Sequence, residues 1–379
     1  MISRSSLLRG LALTLGAPLA HRGGLLFGNT RFSARAVDLV RQSTVVDMLG
    51  LLTLDYRKLA SWGGDPTRFS TADFERLKAS GITVFHPAVG FISGDIFAQS
   101  WRDIQGWNAL IAGHPECFLR IDTAAGFGRA KPLGKIGILI GLQNSSHFRT
   151  VDDVDRFFAI GQRVSQLTYH GNRIGGGSGD AADKGLTPYG QQIVERMNAL
   201  GMAIDVSHCG DRTTIEAIEA SQRPVLVTHS NCRALVPGRA RCKTDEAIRS
   251  LARHGGVMGL TMVRGFVRQS GPATVEHVLD HIDYLAKLVG IEHVGIGSDV
   301  DLDGRDTAGQ HRFDLDGMDY SHKIFDLTEG LLQRKYSPAD IELILGGNFK
   351  RAMAQVGLPY QPAGGGRAAP SPGIPPSLG

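Results

Sequence analysis

The stretch TPYGQQIVERMNALGMAIDVSH, Thr187 to His208, decides the reading of the whole chain. Ile193, Val194, Met197 and Leu200 recur at helical spacing and give a helix over Pro188–Leu200 one apolar face. Thr187 is a suitable N-cap, and Pro188 occupies the first helical position, where its missing N–H is not needed. The period then changes. Ala203–Ser207 is a short apolar run of the kind found in a buried strand, and the polar residue that follows it is His208.

The same alternation extends in both directions. Towards the N-terminus, strands are expected at Thr44–Leu49, Ile82–Pro87, Ile136–Leu142 and Ser165–Tyr169. Beyond Ala203–Ser207 they are expected at Pro224–Thr228, Val257–Met262 and Val294–Ser298. Ala273–Val289 carries Val275, Val278, Leu279, Ile282, Leu285 and Leu288 at helical spacing. Short, largely apolar strands alternating with helices imply a parallel sheet covered on both faces. Eight such units point to an α/β fold, a (β/α)8 TIM barrel. An open doubly wound sheet competes less well, because no G-x-G-x-x-G follows the first strand and no G-x-x-x-x-G-K-[ST] occurs.

Composition agrees with one large globular unit. The chain has 379 residues, 42% hydrophobic and 21% charged, which rules out a fibrous or wholly disordered protein. No apolar run reaches the ~20 residues needed to cross a bilayer. The net charge of +4 is small and its basic residues are scattered, so no nucleic-acid partner is expected. Cys117, Cys209, Cys232 and Cys242 form no C-x-x-C pair and suggest neither a disulfide framework nor a zinc ribbon. There is no repeat at a fixed period. Residues 1–33 read as a signal or leader segment: Arg4 and Arg9 precede the apolar run Leu11–Ala20. Export to a periplasmic location is expected, or membrane attachment if the segment is retained. Residues 359–379, rich in Pro, Gly and Ala, are expected to form a flexible tail. The folded domain is then 34–358.

Active sites of such barrels lie at the C-terminal ends of the strands. The residues found there are His86, Gln143, His170, His208, His229 and Asp299. A lone strand-end histidine is usually structural, but several on one rim favour a metal or acid–base site. His208, His229 and Asp299 could ligate an ion such as zinc and leave a position open for water. Such an ion lowers the pKa of water and polarises a carbonyl, and a nearby carboxylate accepts the proton. A nucleophilic serine or cysteine has less support: there is no G-x-S-x-G, and Cys209 and Cys232 read as small buried side chains.

At these residues the chain resembles the membrane dipeptidase (renal dipeptidase) family, the M19 metallopeptidases, from about Ser33 to Gly357. MNALGMAIDVSH at 197–208 is similar to that family's "MNxLGMxxDVSH" segment. PVLVTHSN at 224–231 is similar to its second histidine motif, and Arg241 and Asp245 to its "RN-x-x-D" element, with Cys242 in place of Asn. His281 to Asp299 resembles "HIDH…VGIGSDFDG", and Gly346-Gly347-Asn348 the closing "GGN". The resemblance implies a (β/α)8 barrel with two zinc ions bridged by a glutamate, acting on dipeptides, and it allows a homodimer. It further implies that His208 and His229 bind a metal and that His170 contacts the substrate carbonyl. Arg241 would pair with the substrate carboxylate, and Asp299 would sit beside the attacking water.

Two departures qualify this. The family's "DGHxD" segment aligns with Asp47-Met48-Leu49-Gly50-Leu51, which puts Leu49 and Leu51 at two ligand positions. Its bridging glutamate aligns with Gln143. Leucine cannot bind a metal, and a neutral amide is a poor bridge between two dications. A single zinc ion on His208 and His229, with Asp299 or His86 joining, is therefore expected. The function expected is metal-dependent hydrolysis of a dipeptide or similar small amide. The alternative is a divergent barrel with lost or altered catalysis that binds or modifies a small peptide-like ligand.

Overall fold

The structure, a computed structural model, describes residues 25–27, 30–306 and 310–357. The expected leader up to residue 24 and the tail from 359 lie outside the described residues. Among the described residues no helix is long and apolar enough to cross a membrane. The folded part reaches back slightly before Ala34: Phe32 is buried, with its ring 5.5 Å from that of Phe325. Ser33 then caps the helix Ala34–Gln42 by accepting the Ala36 N–H.

All eight expected strands are present as parallel neighbours. Val46–Asp47 lies between Val84–Phe85 and Val294–Ile296, and Val257–Leu260, Leu226–Ser230, Ala203–Asp205 and Val164–Gln166 follow in order. The third barrel strand is split. Ile136–Ile138 pairs with Val84–Phe85, whereas Gly141–Leu142 pairs with Val164–Ser165. A parallel bridge from Val89 to Leu142 completes the ring. Phe118–Arg120, not expected from sequence, pairs on the outer side of Ile136–Ile138.

Why the site sits at one end follows from what fills the other. Val46, Val84, Val164, Ala203, Leu226 and Val257 form one buried cluster with Phe349 and Met353 of the helix Asn348–Gln355. That helix plugs the barrel floor. Gly295 must be glycine here, because a Cβ would run into the Phe349 ring. Asn348 fixes the plug by donating to the Ile291 and Val294 carbonyls, each at 2.8 Å. Side chains at the opposite, C-terminal ends of the strands remain available for chemistry.

Candidate active site

His208 and His229, at the ends of adjacent strands, face each other with Nε2 atoms 3.0 Å apart. A buried network explains their orientation. Thr228 Oγ1 donates to Asp205 Oδ2 at 2.8 Å, because a carboxylate can only accept. The 2.8 Å contact between Thr228 Oγ1 and His229 Nδ1 must therefore be donated by the imidazole. His229 is thus the Nδ1–H tautomer, and its Nε2 lone pair accepts from His208 Nε2–H. Asp205 also accepts from Ser207 Oγ at 2.5 Å and from the Thr228 N–H at 3.0 Å, and Ser207 Oγ accepts the His229 N–H at 3.0 Å. The Tyr169 ring stacks on His208, centroids 4.2 Å apart. Burial, then Arg241, push both imidazoles well below the usual histidine range. Both are neutral at neutral pH, the state in which a histidine can ligate.

Asp299 lies across the mouth. Its backbone is left-handed, φ 57°, an unusual conformation for a residue with a side chain. Its N–H donates to the Leu49 carbonyl at 2.9 Å, joining the ends of the last and first strands. Burial raises its carboxyl above the ordinary aspartate range, opposed by Arg305 and Arg241. Arg305 Nη2 donates to the Asp299 carbonyl at 2.8 Å and lies 3.4 Å from its Oδ1. Arg241 turns its fork towards the strand ends, with Nη1 donating to Ser207 O at 2.6 Å and Nη2 to His229 O at 2.8 Å. Its Nε is buried without a hydrogen-bond partner.

A cavity of about 740 Å³ opens here, lined among others by Leu51, Gln143, Tyr169, His208, Asp299 and Arg305. Leu49 and Leu51 are buried hydrocarbon. Gln143 spends its amide N–H on the Ala88 carbonyl at 2.9 Å. His86 is buried below, its Nδ1 donating to Met48 O at 2.6 Å and its Nε2 unpartnered against Gly141. His170 is exposed on the rim, its ring 5.2 Å from that of Tyr169. Among the described residues, the only His, Cys, Asp and Glu atoms meeting as three within 4.8 Å are those of His114, Glu116 and Cys117. Neither Asp299 nor His86 thus completes a cluster of that size with His208 and His229. The residues do not fit a two-ion centre. His208 and His229 are the two imidazoles that could hold an ion together. Arg305, Tyr169 and the Thr228 relay were not singled out from sequence. Arg305 lies six residues past its strand-end neighbour, in a loop with no periodicity to mark it. Tyr169 directly precedes His170, and only one of two adjacent residues at a strand end faces the mouth.

A family model described as Membrane dipeptidase (Peptidase family M19) matches residues 33–361. The rat protein Dipeptidase 3 is 30% identical over 258 residues, covering 65% of this chain and 50% of its own length. The chain thus spans about half the length of that relative. An amidohydrolase from Pseudomonas aeruginosa superposes with a TM-score of 0.73 at 26% identity, over 85% of this chain and 98% of its own. A Rhodobacter sphaeroides metallopeptidase liganded with a phosphinate mimic of the dipeptide L-Ala-D-Ala shares the fold, with a TM-score of 0.69 at 20% identity. It covers 82% of this chain and 99% of that one.

Proposed function

The chain belongs to the membrane dipeptidase family, peptidase family M19, and from that premise we propose that it is a metal-dependent hydrolase of a dipeptide or similar small amide. The observation that carries the reading is the His208–His229 pair, with two Nε2 atoms 3.0 Å apart and one tautomer set by Thr228 and Asp205. These two residues would hold one zinc ion, which when bound supplies Lewis acidity to a carbonyl and an activated water. Asp299 is the proton acceptor, its carboxyl raised by burial above the ordinary aspartate range, which makes it a stronger base than a solvent-exposed aspartate. Arg305 holds Asp299 in place through its carbonyl and carboxylate. Arg241 braces the backbone beside both histidines, and its charge favours an anionic ligand group such as a C-terminal carboxylate. His170 stands at the rim, where it would meet the substrate as it enters. The Rhodobacter relative's dipeptide mimic supports a ligand of that class.

The test is elemental analysis of protein purified without chelator, together with turnover of a dipeptide library that includes both alanine stereoisomers. One zinc per chain and hydrolysis lost in His208→Ala are expected. A metal-free protein with no turnover would replace this reading with the second one, a ligand-binding or modifying barrel. Leu49, Leu51 and Gln143 at the aligned ligand positions favour that alternative. We also propose export through the segment that runs from Arg4 to Ala20. N-terminal sequencing of the protein recovered from a periplasmic extract tests it, and a chain still starting at Met1 in the cytosol would overturn it.

A further inference from the structure

A second cavity, of about 1120 Å³, lies between the helices Tyr56–Gly64 and Ile96–Gly113. The two helices touch through glycines: a Cβ on Gly63 would lie 2.9 Å from Gly106 Cα. Beside that contact the wall is largely apolar, built from Leu59, Phe91, Trp107 and Leu110. Tyr56, Val89 and Gly90 line both this cavity and the one beside His208 and Asp299, so the two spaces meet at those residues.

Gln99, Arg102 and Gln105 also line this space, and Asp103 is its one acidic group. Asp103 Oδ2 is buried and has no hydrogen-bond partner. Burial pushes this carboxyl up to about 7, against the pull of the Trp107 side chain. A buried polar atom without a partner is costly, and native structures keep few of them. Asp103 as a whole is only half-buried and lines this ligand-sized space, so a ligand there can supply a donor to its carboxyl. The backbone of a dipeptide spans only about 7 Å and would leave this second space unfilled.

We propose that the ligand is longer than a dipeptide: its amide lies beside His208 and Asp299, and an apolar arm tipped by an amine or hydroxyl runs past Tyr56 to donate to Asp103. The inference rests on the amide-hydrolase reading of the first cavity and adds the shape and polarity of what is attached to that amide.

Three probes test it on the full-length, zinc-supplemented protein by calorimetry: alanyl-alanine, N-octanoyl-alanine and N-(8-aminooctanoyl)-alanine. The amine-tipped probe is expected to bind at least tenfold more tightly than alanyl-alanine, with the octanoyl probe in between. Asp103→Asn should erase the preference for the amine tip over the plain chain. Gly64→Leu, at a position where an added Cβ meets no atom within 4 Å, should bring the ratio of long to short probe towards one. Ala109→Leu on the facing helix serves the same purpose if Gly64→Leu does not fold. Equal binding of all three probes in the wild type overturns the proposal, as does a long-arm preference that survives all three substitutions. Turnover of alanyl-alanine with no long-arm advantage refutes the second cavity's role alone. An Asp103-dependent preference with no probe hydrolysed refutes the hydrolase reading alone, and binding of none refutes both.

Discussion

Thr228→Val is the sharpest probe of how the histidine pair is held. Valine has nearly the shape of threonine, and the site is fully buried, so packing changes little. The substitution removes one hydroxyl that serves two partners, accepting from His229 Nδ1 at 2.8 Å and donating to Asp205 Oδ2 at 2.8 Å. Each stranded atom costs about 1–3 kcal/mol of folding stability. Without its Nδ1 acceptor, His229 is free to adopt the other tautomer, which covers the Nε2 lone pair with a proton. Loss of a support of this kind weakens metal binding by roughly 10–100-fold, or about 1.4–2.7 kcal/mol. Thr228→Ser keeps the hydroxyl and should cost only about 1 kcal/mol of stability for the lost methyl. Urea unfolding of the metal-free proteins gives the first quantity, and chelator competition for zinc gives the second. Equal zinc affinity in the Val and Ser variants would refute the relay. So would a ¹⁵N spectrum of the metal-free wild type showing His229 protonated on Nε2.

Four further outcomes are expected. Asp299→Asn should lower kcat by about 10²–10⁴-fold while ligand binding persists, and the wild-type rate should fall on acidification around a pKa above the ordinary aspartate value; an unchanged kcat would remove Asp299 from the chemistry. Arg241→Lys should weaken a ligand bearing a free carboxylate by about 1.5–3 kcal/mol, and amidating that ligand should then cost little more; additive losses would mean that Arg241 only braces the Ser207 and His229 carbonyls. Asp103 binds its proton more tightly folded than unfolded, so stability should fall as pH rises from about 4 to about 7, by at most about 1.4 kcal/mol per pH unit. Asp103→Asn should flatten that slope in urea titrations, and an unaltered slope would contradict it. Restoring Leu49→His, Leu51→Asp and Gln143→Glu together should raise the zinc content from at most one to two per chain, and elemental analysis still showing one would mean that the second site needs more than its ligands.

Strand cores were readable because each is a short apolar run between helical patterns, and the helix Pro188–Leu200 begins and ends where its cap and periodicity place it. Phe118–Arg120 escaped because it pairs on one side only and leaves Leu119 and Arg120 half-buried, so no continuous apolar run marks it. The run Ile136–Leu142 reads as one strand, yet it splits so that its two halves can pair with different neighbours across the barrel seam. His208 and His229 were legible because strand ends converge on one rim. Their relay was not, because Thr228 acts on a ring next to it in sequence and on Asp205 in another strand. Arg305 reaches the site from a loop, and no rule of periodicity carries a loop residue to a particular place.

Electrostatics makes the three substitutions a coherent set. Against the two-ion site that the family resemblance implies, Leu51 and Gln143 each remove one negative charge, and Leu49 removes a neutral imidazole. Together they subtract two negative charges, the counterpart of one dication. Keeping both ions without those carboxylates would add uncompensated positive charge beside Arg241, Arg305 and Lys243, groups that already disfavour protonation of His229. Keeping the carboxylates without the ion would leave buried anions, at several kcal/mol each. On the proposed single-ion reading, changing the ligands and the ion together avoids both penalties. Leu49 and Leu51 fill that side with buried hydrocarbon, and the Gln143 amide is tied to Ala88. The charge that remains near the mouth is arranged differently. Asp47 is buried 3.6 Å from the Lys323 ammonium and is spent on structure. Asp205 is spent on holding Ser207 and Thr228. Of the other aspartates lining the mouth, Asp55 and Asp301 accept from backbone N–H groups and Asp303 pairs with Arg76, which leaves Asp299 as the carboxylate not spent in this way.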